Sequence, residues 1–217
     1  MVWMEFNENK ISILLSLFLL LAFIWIALSV YFEAAWIVRL DNFGNEIFRL
    51  DVSQEVTSLI FSFTHLGSIR NLVYVGLVFC AVLLFKKEFH TLLWFIFCGG
   101  ISGGLAPLVM KNVIRRARPL DGLMTRTGYS FPSGHAMGTL AMYGFIMMMA
   151  VIYIKKTWLR RTVIVVNTAI ILTISWSRIH LGVHFLSDII GSLLLGLALL
   201  IISWQVFLHI NKKRTQY

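Results

Sequence analysis

The stretch SRIHLGVHFLSDIIGSLLLGLALLIISWQVFLHI, residues 177–210, sets the terms for the whole chain. From residue 184 to about 208 it is an apolar run long enough to cross a bilayer as a helix, which takes about 20 residues. Yet Arg178, His180, His184 and Asp188 stand at its mouth. Ionisable groups in a span cost about 2.5 to 3.5 kcal/mol at the bilayer centre on insertion scales, less near the ends, and are functional by default. Asp188 is the only acid after Asp121, although nine cations follow that residue. His184 precedes Asp188 by four residues, the spacing at which helical side chains meet.

The rest of the chain is equally apolar. Of its 217 residues 59% are hydrophobic and 13% charged, against roughly 25% charged in soluble domains. Six runs have spanning length: 11–32, 59–85, 89–110, 135–154, 161–179 and 184–208. The first is longer than a signal-peptide core of about 7 to 15 residues and lacks a small-residue cleavage site, so it reads as a retained span. No linker, repeat or low-complexity tract divides the chain. The expectation is one integral-membrane domain over residues 1–217, all-α, built as a bundle of six transmembrane helices. Cys80 and Cys98 fall inside spans, where thiols are packing residues, so no disulfide framework is implied. The net charge of +9 would suggest nucleic acid in a soluble protein. Here the cations sit in short loops beside spans, so the partner they imply is the lipid bilayer and no nucleic acid.

Six spans place both termini and the loops after spans two and four on one side. That side carries Lys86, Lys87, Lys155, Lys156, Arg160, Arg161, Lys212, Lys213 and Arg214, the positive-inside pattern of a cytoplasmic face. The other loops face outward, although that side also carries Arg39, Arg49, Arg70, Lys111, Arg115, Arg116, Arg118, Arg126 and Arg178, so some of these cations have another use. The first of these holds Trp36, Leu40, Phe43, Ile47 and Leu50 at steps of three and four, which predicts a short amphipathic helix lying at the membrane interface, with Gly44 weakening it.

Three polar clusters fall on the outward side. In KNVIRRARPL (111–120), Pro119 disfavours helix at Arg118, and Lys111 and Arg118 are seven apart, two helical turns. In FPSGHAMGTL (131–140), Ser133 suits an N-cap. Gly134 there allows close approach to a helix N-terminus whose N–H groups favour an anion, and His135 sits in the first turn. The third cluster is the opening stretch. Three cations, two histidines, a carboxylate and a helix N-terminus on one side form a set suited to binding an oxyanion and attacking it.

These motifs resemble those of the type 2 phosphatidic acid phosphatase superfamily, which read K-x6-RP, PSGH and SR-x5-H-x3-D. Here they stand as Lys111 to Pro119, Pro132 to His135 and Ser177 to Asp188. The resemblance implies a lipid phosphatase of the bacterial membrane branch, acting without a cofactor or metal on a lipid mono- or diphosphate such as undecaprenyl diphosphate, phosphatidylglycerophosphate or phosphatidic acid. It implies that His184 is the nucleophile, that Asp188 orients it, and that His135 protonates the leaving oxygen. Lys111, Arg118, Arg178, Ser133 and Gly134 would hold the phosphoryl group. It also implies a cell-membrane protein with its site on the extracytoplasmic face and cytoplasmic termini. An anion or lipid transporter and a lipid phosphotransferase are the competing readings.

Zinc is the other reading of His180, His184 and Asp188, but Gly182 interrupts the row and the nearby cations oppose a divalent ion. Arg115, Arg116 and Arg126 read as solvated loop charge, and Met147 to Met149 as gap-filling packing.

Overall fold

A computed structural model of the protein describes residues 10–49, 51–124 and 127–214, with side chains to residue 210. Every regular element among them is helical. Five segments are long and apolar enough to cross a membrane: Lys10–Tyr31 (α1), Phe89–Ile114, Gly134–Tyr153 (α7), Thr157–His180 (α8) and Leu186–Ile210, the spanning part of α9 (Leu186–Arg214). The segment Phe89–Ile114 is α5 (Phe89–Phe97), a π-helical stretch (Cys98–Leu105) and α6 (Ala106–Ile114).

The remaining span is broken rather than straight. Helix α3 (Gln54–Thr64), extended by a 3₁₀ turn at His65–Gly67, meets α4 (Ile69–Phe85) at 45°. The bend has local causes. Asn71 Nδ2 donates to the His65 carbonyl at 2.8 Å, and a Cβ on Gly67 would come within 2.5 Å of Thr139 Oγ1 and 2.7 Å of Ile174. The chain can therefore turn against α7 and α8 only without a side chain there.

The amphipathic helix exists as α2 (Ala35–Phe48), and the face it packs on the bundle is not the apolar row Trp36, Leu40, Phe43 and Ile47. Ile37, Asp41 and Gly44 are buried, while Phe43 and Ile47 are exposed, and Leu50 lies outside the described residues. Gly44 is the reason. A Cβ there would sit 2.5 Å from the Leu186 Cβ, so the glycine seats α2 on the first turn of α9. That packing turns Phe43 and Ile47 outward.

Helix α7 is the centre of the bundle, touching α4, the π stretch, α8 and α9. Its crossing with the π stretch is close because both sides are small: a Cβ on Gly103 would lie 3.4 Å from the Gly138 Cα. Close backbone approach of this kind drives helix association in lipid, where there is no hydrophobic force between spans. Below it, Trp94, Phe95, Phe145 and Phe207 pack as aromatic pairs, with centroids 4.2 Å apart for Trp94–Phe207 and 4.8 Å for Phe95–Phe145.

Candidate active site

The site is built where three chain reversals meet at one end of the bundle. Helix α8 stops at His180, and the chain turns through Gly182, whose φ of +63° favours glycine. A Cβ at Gly182 would meet the Gly122 Cα at 2.7 Å, so the turn also docks against the α6–α7 loop. Helix α9 begins at Leu186, which places Asp188 in its first turn. The Asp188 Oδ2 accepts from the Phe185 N–H at 3.0 Å, the reciprocal half of a capping box. The same oxygen lies 3.3 Å from His184 Nδ1. The four-residue spacing thus delivers its contact across a helix start rather than along a helix.

With Nδ1–H donating to Asp188, the Nε2 lone pair of His184 is directed elsewhere. Arg118 Nη1 stands 3.3 Å from it and donates to the Val183 carbonyl at 2.8 Å. Lys111 and Arg118 converge by a route other than two turns of one helix. Helix α6 ends at Ile114, and Arg115 at φ +53° reverses the chain. The two cations then meet at the Tyr129 carbonyl, with Lys111 Nζ at 2.5 Å and Arg118 Nη2 at 3.2 Å.

The PSGH segment closes the site from α7. Ser133 caps the helix, weakly, with Oγ 3.4 Å from the Ala136 nitrogen. Its own N–H donates to Ser192 Oγ at 2.7 Å, and that hydroxyl donates to the Asp188 carbonyl at 2.6 Å. The α7 N-terminus is therefore locked to the α9 turn that carries Asp188. A Cβ on Gly134 would meet no atom within 4 Å, so the helix N-terminus is open on that side. His135 is half-buried in the first turn. Arg178 is buried near the end of α8, where its Nη1 donates to Thr64 Oγ1 at 2.9 Å and the His184 N–H donates to its carbonyl at 3.3 Å.

Sequence reading missed Arg116, Asp41 and the Ser192 link. Arg116 is not solvated loop charge: its Nη1 donates to Asp188 Oδ1 and to Ser187 Oγ, each at 2.7 Å, and its Nη2 donates to Asp41 Oδ2. Its guanidinium also lies 4.1 Å over the Phe185 ring. Asp41, from α2, accepts from the Ser187 N–H at 2.9 Å and from its hydroxyl at 3.0 Å. The two carboxylates and one guanidinium leave a net single negative charge behind His184. The one available signal was an acid in line with the small residue Gly44 on an amphipathic helix; pairing across 75 residues has no local code. Arg115 does remain on the exposed surface, and Arg126 lies outside the described residues.

Burial is the main cause of the electrostatics at His184. It lowers the imidazole pKa to about 4, assisted by the positive charges of Arg118 and Arg178 and opposed by Asp188. The ring is therefore neutral near pH 7. The cations, which dominate any account drawn from sequence alone, are secondary in the fold. For Arg116, burial acts to lower the pKa, and the carboxylates of Asp188 and Asp41 outweigh it and hold the pKa up. His180 lies on the far side of the turn, against Trp176 with centroids 5.2 Å apart. Among the described residues no group of three His, Cys, Asp or Glu side chains is placed to hold a metal ion.

Comparison with known proteins gives the chain a family and a fold. The model of the PAP2 superfamily matches residues 91–212. Phosphatidylglycerophosphatase B of Bacillus subtilis (strain 168) is 29% identical over 141 residues, covering 63% of this chain and 68% of that protein. Dolichyldiphosphatase 1 of Homo sapiens is 29% identical over 148 residues, covering 62% of this chain and 60% of that protein. The crystal structure of a transmembrane PAP2 type phosphatidylglycerolphosphate phosphatase from Bacillus subtilis superposes with a TM-score of 0.77 at 24% identity, over 91% of this chain and 96% of that one. A family pattern that takes in all three motifs and more than half of the chain, on a bundle of the same fold, places this protein in the PAP2 superfamily.

Proposed function

We propose that this chain, a lipid phosphate phosphatase of the PAP2 superfamily, removes the terminal phosphate of a lipid mono- or diphosphate through a phosphohistidine on His184. The observation that carries this reading is the imidazole held at both nitrogens, by Asp188 at Nδ1 and facing Arg118 at Nε2. Nε2 attacks phosphorus, and the bond to the leaving oxygen breaks as His135 donates its proton to it. Water then attacks the phosphohistidine, His135 takes its proton, and the P–N bond breaks to release phosphate. Phosphoryl transfer spreads charge over three equatorial oxygens. In this reading Lys111, Arg118 and Arg178, with the Ser133 hydroxyl and the Gly134 N–H, meet that charge.

The substrate class follows from where the site sits. It lies at the ends of the spans, a position that supports entry of a lipid phosphate from the bilayer. The names of the relatives point to phosphatidylglycerophosphate and to dolichyl diphosphate, and undecaprenyl diphosphate and phosphatidic acid share the chemistry. With Lys111, Arg118 and Arg178 assigned to the phosphate and Arg116 to the carboxylates behind His184, the cations beside the termini and in the loops on their side support cytoplasmic termini and an outward site. Rapid acid-free quenching with a ³²P-labelled lipid phosphate tests the mechanism. Label on the protein that is acid-labile, base-stable and absent from His184→Ala supports it. Label that persists in that variant refutes it.

A further inference from the structure

The half of the bundle remote from the active site holds a cavity of about 370 Å³ between α1, α7, α8 and α9. Along α7 its wall runs from Leu140 to Val151, about 16 Å at 1.5 Å per residue. That is close to the hydrocarbon depth of one leaflet, half of about 30 Å. The wall is apolar, and Met147 and Met148 edge the space instead of filling it; the polar Ser12 and Gln205 also line it, near the outer ends of α1 and α9.

Among the described residues of the α7–α8 turn and the start of α8, every charged side chain is positive. Lys155 and Lys156 are exposed in the α7–α8 turn, and Arg160 lies one turn of α8 before Ile164, which lines the cavity. None of the three is in an ion pair among the described residues, and the sequence has no acid between Asp121 and Asp188. Basic pockets between spans on the cytoplasmic side bind anionic headgroups. We propose that this cavity is a binding site for an anionic glycerophospholipid of the leaflet opposite the active site. One acyl chain lies along α7, the glycerol esters lie at Ser12 and Gln205, and the phosphate lies among Lys155, Lys156 and Arg160. The inference is independent of the substrate assigned to the catalytic site.

Native mass spectrometry of the full chain in detergent, titrated with phosphatidylglycerol or with phosphatidylcholine of the same acyl chains, tests it. Three juxtamembrane cations predict a preference for phosphatidylglycerol on the order of a hundredfold. Lys155→Gln/Lys156→Gln/Arg160→Gln should bring the preference close to parity, and Val151→Trp, which fills the cavity, should lower retention of both lipids. Phosphate release by these variants should stay at the wild-type level, since they lie far from the site. Equal retention of the two lipids by the wild type overturns the proposal, as does a preference unchanged by the triple variant. Loss of retention in Lys111→Ala but not in Val151→Trp overturns it too, because it would place the lipid in the active site. If Val151→Trp does not fold, the triple variant decides.

Discussion

Asp41→Asn is the most informative perturbation of the site. In the native protein Arg116 is shared between Asp41 and Asp188, and in the proposed mechanism the one net negative charge that remains stabilises the cationic ring of the phosphohistidine. The substituted amide keeps an oxygen for the Ser187 N–H but removes that charge, so Arg116 fully cancels Asp188. Along the Asp41–Arg116–Asp188–His184 chain the lost charge is roughly 10 Å from the ring, worth about 1.7 kcal/mol at an effective dielectric of 20. The expected loss in kcat is then about 15- to 20-fold, measured as phosphate release from dioctanoyl phosphatidic acid in detergent. Arg116→Gln alone leaves two neighbouring carboxylates without their cation and should destabilise the fold by about 3 to 5 kcal/mol. The double variant Asp41→Asn/Arg116→Gln returns the net charge to minus one, and it should be at least about fivefold faster than Asp41→Asn. A double variant no faster than the single one, or an Asp41→Asn with wild-type kcat, refutes the charge argument.

Three further outcomes follow from the geometry. Since burial holds His184 at about 4, below the ordinary value near 6.5, the folded chain refuses a proton that the unfolded chain binds between those pH values. Stability is full above about pH 6.5 and falls as pH drops toward 4, which thermal unfolding in detergent reads; the acid limb of kcat, set by His184, should likewise lie near pH 4, and a limb set by His184 near 6.5 would contradict the burial. Thr64→Val removes the acceptor of Arg178 Nη1 and the partner of Ser177 Oγ, so KM should rise several-fold with a smaller change in kcat, in the same phosphate-release assay. Gly182→Ala forces a side chain into φ +63° and against Gly122 at 2.7 Å, costing about 1 to 3 kcal/mol, seen as a lowered thermal midpoint together with reduced activity.

Much of the fold was legible because a bilayer imposes a one-dimensional rule: a span needs about 20 apolar residues, and that can be counted. The span bounds, the helix start at Ser133 and the turn at Gly182 all follow from such local rules. The same arithmetic put Lys111, Ser133 and His184 at one rim, where Tyr129, Ser192 and Arg118 now link the three motifs. The rules failed where the deciding contact was distant. Its neighbours in the chain make Arg116 read as solvated loop charge, but the fold pairs it with Asp41 and Asp188.

By itself the sequence determined a polytopic all-helical membrane protein and the residue types of a phosphate site, since hydropathy, capping and motif spacing are properties of neighbouring residues. Only the tertiary structure decided that Arg116 and Asp41 belong behind His184, and that burial more than nearby cations keeps its imidazole neutral. Desolvation and charge pairing depend on what surrounds a group in three dimensions. Asp41 and Asp188 lie far apart in the chain, and only folding brings them to one guanidinium.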